Sequence, residues 1–407
     1  MNIIEKILKI VDIMMIIYML YYICIAIFLL FRKKKIKEHK NTCKFAVIVP
    51  ARNEEKVIGN LIESIKRQNY PKELYDIFVI PNNCQDKTEE VSIENGAKII
   101  NCAIPVKSKG DVLRYSFKYL ENYNYDAYII FDADNVVHPE FLSKANDAVL
   151  EGYNVAQGYR DSKNSKDSWI SNCYSLHYWT QNIFLNQARM NANCSSFING
   201  TGVIITKKFI EKYEYNTETM TEDIELAVQC AINNEKIAFV ENAITYDEQV
   251  TELEQSLRQR LRWSIGTIQC LAKYNKKLVK AKNILSLDTL LFLLAPITQV
   301  IGAISFIVHM MIEIMTKAPI NSYMYRGFSI VLCYITSVVI SIIALKISNK
   351  SVQKNIKGVL TYPIFIFTWI PLNVIAIFKR KYKWKQIKHT KAVSIDKMME
   401  LAVKTQN

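Results

Sequence analysis

The sequence predicts an α/β domain, a mostly parallel sheet with helices on its faces, set between membrane-crossing helices at the two ends of the chain. Three observations carry this expectation. Residues 44–157 alternate short apolar runs with amphipathic stretches, as strands joined by crossover helices do. Residues 7–31 form an apolar run interrupted only by Lys9 and Asp12 near its start. Three more apolar tracts follow at roughly 284–315, 326–346 and 358–378. About 20 apolar residues suffice for a helix to cross a bilayer core.

The first run is too long for a signal-peptide core and lacks a small-residue cleavage pattern, so it reads as a retained anchor. RKKKIK (Arg32 to Lys37) follows at once. By the positive-inside tendency it places the end of the anchor in the cytoplasm, and it reads as that topology signal rather than as a nucleic-acid patch. KFAVIVPA (Lys44 to Ala51) is then a buried strand, and EEKVIGNLIESIKRQ puts Val57, Ile58, Leu61, Ile62 and Ile65 on one helical face. DIFVIP (Asp76 to Pro81) and AKIINC (Ala97 to Cys102) are the next strands. KGDVLRYSFKYL is helical, and AYIIF is the fourth strand. Residues 158–250 are less regular. A helix is expected around Trp169–Arg189, and the glycines of SSFINGTGVIITKKF mark a tight turn before another strand.

ELEQSLRQRLRWSIGTIQCLAKY spaces Leu253, Leu257, Leu261 and Ile265 four apart with a basic opposite side, as a helix lying in a membrane interface does. The expected segments are an anchor and basic flank (1–35), a cytosolic domain (44–250), an interface helix (251–280), a membrane region (284–378) and a basic cytosolic tail (379–407). Three full passes after the anchor would leave the C-terminus outside, whereas KRKYKWKQIKHTK (Lys379 to Lys391) argues for inside. Pro363 and Pro371 are therefore expected to break the last tract into a re-entrant or surface-lying segment.

Composition narrows the function classes. The 407 residues carry a formal charge of +14, and half of them are hydrophobic. The basic flanks and apolar tracts account for both, so no nucleic-acid partner is implied. The nine cysteines are scattered without a C-x-x-C pair, which argues against a disulfide framework or zinc knuckle and fits a reducing compartment. A channel or transporter is disfavoured because the apolar tracts contain few ionisable groups, with Asp288 and Glu313 near their edges.

The chemistry starts where the fourth strand ends. Asp132 and Asp134 lie two apart, so in an extended segment both carboxylates face one side. Such a pair suits a hard divalent cation, Mg²⁺ or Mn²⁺, bridging to the phosphates of a nucleotide. Ligands in such sheets bind beyond the carboxyl ends of the strands. The loop after the first strand holds Arg52, Asn53 and Glu54, and the loop after the second is PNNCQDKT, with Asn82 and Asp86. The loop after the third is KSKGD, with Lys109. Each alone reads as an ordinary turn; together they point to a charged ligand. Downstream, TMTEDIELAVQC sets Thr221, Glu222 and Asp223 at a helix start, where an N-cap is the simple alternative. QRLRW joins Gln259, Arg262 and Trp263, and also reads as a snorkelling basic helix with an aromatic anchor.

Taken in order, VIVPARNEE, PNNCQD, KG, DAD, NGTG, TED and QRLRW resemble the family 2 glycosyltransferases. More narrowly they resemble the membrane-embedded branch with cellulose, chitin, hyaluronan and poly-N-acetylglucosamine synthases. The resemblance covers residues 44 to about 275. It implies a GT-A fold, a nucleotide-diphospho-sugar donor such as UDP-GlcNAc or UDP-Glc, and inversion at the anomeric carbon. It further implies that Asp134, with Asp132, holds Mn²⁺ or Mg²⁺ and the donor diphosphate, and that Asp223 is the general base. Gln259, Arg262 and Trp263 would embrace diphosphate and acceptor, while Arg52, Glu54, Asn82, Asp86 and Lys109 would line the nucleotide. Relatives commonly carry aspartate where this chain has Asn82, and often proline where it has Val250. The expectation is a bacterial cell-membrane enzyme, its catalytic domain facing the cytoplasm, extending a polysaccharide or lipid-linked glycan. The alternative is an inactive scaffold or glycan-binding subunit that kept the fold.

Overall fold

A computed structural model describes residues 3–31, 34–379, 382, 389 and 391–406. Arg32 and Lys33 of the basic flank, and most of the basic run after Lys379, lie outside the described residues. The strands are β1 (Phe45–Ala51), β2 (Tyr75–Pro81), β3 (Lys98–Ile99), β4 (Ala127–Ile130), β5 (Val136–Val137), β6 (Val155–Ser162), β7 (Val203–Thr206) and β8 (Ile237–Asp247). The helices of the N-terminal half are α1 (Ile3–Ile27), α2 (Ile58–Lys66), α3 (Thr88–Glu94), α4 (Lys109–Tyr119), α5 (Phe141–Leu150), α6 (Trp169–Thr180) and α7 (Ala188–Asn191). They are followed by α8 (Lys207–Tyr213), α9 (Glu222–Ile232), α10 (Leu253–Ala281), α11 (Ile284–Leu293) and α12 (Ala295–Met315). The chain closes with α13 (Ile320–Ile347), α14 (Ile356–Phe367), α15 (Trp369–Phe378) and α16 (Ile395–Gln406).

The strands form one eight-stranded sheet in the order β3-β2-β1-β4-β7-β6-β8-β5. β1 runs parallel to β2 and β4, and β2 to β3, whereas β7 is antiparallel to both β4 and β6. The central strands are apolar on both faces because both are covered. Phe45, Val47 and Val49 pack against α2, while Ala46 and Ile48 pack against Val112, Leu113 and Phe117 of α4. The third strand is shorter than its apolar run suggests: pairing to β2 stops after two residues at the sheet edge.

The expected helix at Trp169–Arg189 is present, interrupted by a π-helical turn at Gln181–Gln187. α10 packs differently from its leucine spacing. Ser256, Arg260, Ser264, Cys270 and Tyr274 are on its buried face, whereas Leu253 is 43% exposed. The reason lies in its neighbours. α14 and α15 meet end to end near Pro363 and Pro371, and buried Arg260 donates to the Phe365 carbonyl (2.9 Å) and the Thr368 hydroxyl (2.7 Å) at their junction.

Four stretches, Ile3–Leu30, Ala295–Met315, Ile320–Ile347 and Gln353–Phe378, are long and apolar enough to cross a membrane. The first is tied to the rest. Arg189 and Asp288, both buried, form an ion pair (2.9 Å) between α7 and α11; Tyr21 of α1 donates to the same carboxylate, and the Tyr18 hydroxyl donates to the Leu291 carbonyl at 3.1 Å. The C-terminal tail is not a free appendage. Val393, Ile395 and Met398 are buried with Val136 and Tyr246, and Asp396 pairs with Arg67 at 2.6 Å.

Candidate active site

Because β1, β2 and β4 are parallel, their carboxyl ends open on one edge, where a single cavity of about 810 Å³ lies. Arg52, Glu54, Asn82, Lys109, Asp132, Asp134, Asp223, Gln259, Arg262 and Trp263 all line it. The residues singled out from separate segments thus meet in one place.

Asp86 does not line the cavity. Its carboxylate accepts from the backbone amides of Glu55 and Thr88 (3.1 Å each) and from the Thr88 hydroxyl (2.5 Å). It pins two loops together instead of facing a ligand. Short acids commonly turn back on nearby backbone in this way.

Lys109 joins the two acidic motifs. Ser108 and Asp111 form a capping box that fixes the start of α4, which aims Lys109 into the cavity. Its ammonium pairs with Asp132 (2.5 Å), approaches Glu222 (3.6 Å) and donates to the Gly200 carbonyl (2.7 Å). Burial alone would lower the Lys109 pKa, but Asp132, Glu222 and Asp223 raise it above its ordinary value.

Asp223 stands in the first turn of α9. Thr221 occupies the N-cap position, yet its side chain makes no capping hydrogen bond, so the acids are not explained by a simple cap. Burial, reinforced by the neighbouring Glu222 charge, pushes the Asp223 carboxyl up to about 6, against the opposing pull of Arg262 and Lys109. Gly200, at φ +80° in the turn before β7, brings backbone close to this carboxylate; a Cβ there would lie 3.3 Å from Asp223 Oδ2. Arg262 is held by a hydrogen bond to the Met220 carbonyl (2.8 Å), beside the same turn.

Asp134 is buried, which raises its pKa, but His389, Lys163 and the Glu248 amide outweigh that and hold it ionised below the ordinary range. His389 was not legible beforehand. It arrives from the C-terminal tail, 3.1 Å from both Glu54 oxygens. Burial opposes its charge, yet Asp134 and Glu54 push it up to about 10. Four further residues escaped sequence reasoning: Arg160, His177, Tyr178 and Trp369 all line the cavity. Arg160 pairs with Asp247, donates to the Asn199 carbonyl (2.8 Å) and sits 4.0 Å from the Tyr178 ring centre. The one available signal was its place near the carboxyl end of β6, at the same strand edge. His177 is held neutral, its pKa driven to about 3 by burial and then by Arg260 and Arg160.

Among the described residues no three His, Cys, Asp or Glu side chains converge as a complete metal cage. The arrangement still fits Mg²⁺ or Mn²⁺, which take one or two carboxylates and complete their shell with substrate phosphates and water. Asp132 and Asp134 would supply that pair, and Asp134 stays ionised despite its burial.

Residues 43–266 match the family model described as glycosyltransferase like family 2. The chain is 25% identical over 259 residues to the probable glycosyltransferase YdaM of Bacillus subtilis, covering 60% of each. It is 22% identical over 367 residues to the poly-β-1,6-N-acetyl-D-glucosamine synthase of Staphylococcus epidermidis, covering 86% of each. Against the first curated relatives, the chain spans about half to three fifths of their length. Its fold is similar to that of the mannosyltransferase PcManGT from Pyrobaculum calidifontis, solved with GDP-Man and Mn²⁺, at TM-score 0.66, 14% identity, and coverage of 92% of this chain and 98% of that one.

Proposed function

The chain belongs to the glycosyltransferase-like family 2, and on that footing we propose that it is a membrane-bound inverting enzyme. It transfers a hexose or N-acetylhexosamine, from UDP-Glc or UDP-GlcNAc, to a hydroxyl of a membrane-associated acceptor. One observation carries the reading: the Asp132–Asp134 pair and the Asp223 carboxyl open on the same cavity, with Lys109 between them, paired to Asp132 and near Glu222 beside Asp223.

The nucleotide lies along Arg52, Glu54 and Asn82, and the diphosphate meets Lys109 and Arg262. Asp132 and Asp134 would hold Mn²⁺ or Mg²⁺; when bound, the cation neutralises charge growing on the leaving diphosphate. The acceptor oxygen attacks the anomeric carbon as the bond from that carbon to the diphosphate oxygen breaks, and its proton passes to Asp223. One displacement inverts the anomeric configuration. A base with pKa near 6 is ionised at neutral pH yet keeps enough basicity to help an alcohol attack. Arg262 gains most when the diphosphate is fully charged, so its contribution falls on the transition state. Trp263 offers the acceptor sugar or head group a flat apolar face. The basic run Arg32 to Lys37 supports a cytoplasmic position for the sheet domain, where nucleotide sugars are supplied.

The test is nucleotide release by membranes containing the protein, across a panel of UDP- and GDP-sugars with Mn²⁺ or Mg²⁺. One donor turns over, and Asp134→Ala, Asp223→Asn and EDTA each abolish or sharply reduce the turnover. A folded wild-type protein that consumes no donor in the presence of lipid and oligosaccharide acceptors overturns the reading in favour of a non-catalytic scaffold.

A further inference from the structure

The cavity has two chemically different ends. Glu54, Lys109, Asp132, Asp134 and Arg160 line one end, beyond the strands. Past Asp223 and Trp263 the wall is built instead by Phe292, Ala295, Pro296, Ile366 and Trp369. These belong to α11, α12, α14 and α15; α12 and the α14–α15 pair lie in stretches long and apolar enough to cross a membrane. The catalytic carboxylate is therefore reached, on its acceptor side, through walls made by membrane helices.

Two kinds of acceptor use such a route: a hydrated glycan threading between the helices, or an amphiphile sliding in from the bilayer. A glycan strand needs a run of free hydrogen-bonding groups along its path. Two amides at this end, Asn373 and Gln299, are engaged with one another. Asn373 Nδ2 donates to Gln299 Oε1 (2.8 Å), and Ser264 Oγ donates to Asn373 Oδ1 (2.7 Å). Asn373 is 1% exposed, and the chain of bonds ties α10, α12 and α15 together. Beside them lie the apolar side chains just named and the nearly parallel Trp263 and Trp369 rings, 6.2 Å apart at 22°.

Resting on the transfer reading above, we infer that the acceptor is a membrane amphiphile: a hydroxyl-bearing polar head that reaches Asp223 while its hydrocarbon body stays against α11, α12 and α14–α15. A general base with a raised pKa suits an alcohol head rather than a phosphate, which is already ionised.

The test uses the full chain in phosphatidylcholine nanodiscs with a radiolabelled donor sugar. Three acceptor arms are run separately: dioleoylglycerol, undecaprenyl-diphosphate-linked N-acetylglucosamine, and a water-soluble oligosaccharide. The expected result is label extracted into butanol in one of the lipid arms, at the mass of the lipid plus sugar; which arm is positive identifies the lipid. Ala295→Trp, which fills the apolar end, lowers that product at least tenfold, and the milder Ala295→Val lowers it by less. Label confined to water-soluble glycan overturns this inference and leaves the transfer reading standing. Equal rates for wild type and both correctly folded variants also overturn it. A protein that releases nucleotide from no donor in any arm overturns both.

Discussion

Gly266→Ala is the most demanding test of how the Asp223 carboxylate, the proposed base, is held. Gly266 lies on the buried face of α10, against the first turn of α9, where Asp223 stands. A Cβ added there meets Thr221 Oγ1 at 2.4 Å, Thr221 Cγ2 at 2.5 Å and Thr221 Cβ at 2.9 Å. The closest of these falls about 1 Å short of an ordinary contact of ~3.4 Å. Rotating the threonine brings no relief, because its own Cβ is also too near. One of the two helices must therefore move, and the Thr221–Asp223 turn moves with it. A misplacement of about 1 Å can cost about 10²-fold in rate, and overpacking costs about 1–3 kcal/mol of stability. The expected outcome is a kcat reduced about 100-fold with the chain still folded, read from initial rates of nucleotide release alongside thermal unfolding in detergent. Gly59→Ala in α2 is the control. There the nearest atom is the terminal amide nitrogen of the Asn95 side chain at 3.3 Å, which has to give by only a few tenths of an ångström, so helix propensity is the main effect and activity is retained. Full kcat in a well-folded Gly266→Ala protein would refute the view that α10 positions the base.

The remaining expectations concern charge. With Asp223 pushed up to about 6 and acting deprotonated, kcat/KM falls below pH 6 by about tenfold per unit; Glu222→Gln removes a neighbouring negative charge and moves that limb to lower pH, as a pH–rate profile will show. Asp223→Asn lowers kcat by about 10²–10⁴-fold with donor affinity retained, measured by single-turnover kinetics and nucleotide-sugar binding. Asp288→Asn leaves Arg189 buried without its counter-charge, a loss of about 3–5 kcal/mol visible as a lower unfolding temperature, and Arg189→Met with Asp288→Leu recovers much of it.

Much of the cavity lining at the strand ends was legible in sequence because it rests on local contrasts. Two acids ending the apolar run of β4 stand out against a strand that is buried at every position, and the parallel order then fixes which loops join them. Asp223 was legible only in company with the other motifs, since acids at a helix start have an ordinary explanation. Asp86 misled because its polar loop resembles a ligand site, while its partners are nearby backbone amides that composition does not reveal. His389 and Trp369 were hidden for the opposite reason. Each sits in a segment with an adequate local account, a basic tail or an apolar tract, and reaches the cavity only through tertiary packing. The polar buried face of α10 was likewise invisible: Arg260 Nη1 donates to a carbonyl and a hydroxyl at a helix junction more than 100 residues away.

The junction of Tyr21 with Asp288 and Arg189 has a mechanical consequence. Tyr21 lies six residues before the end of α1, about 9 Å along the helix axis. Upstream of that point the Tyr18 hydroxyl donates to the Leu291 carbonyl (3.1 Å), and Asp12 accepts from the Ser305 hydroxyl (3.1 Å) and pairs with His309 (3.0 Å) of α12. The anchor is therefore moored at several heights by polar groups, so its depth against the other helices is set by these ties as well as by its apolar length.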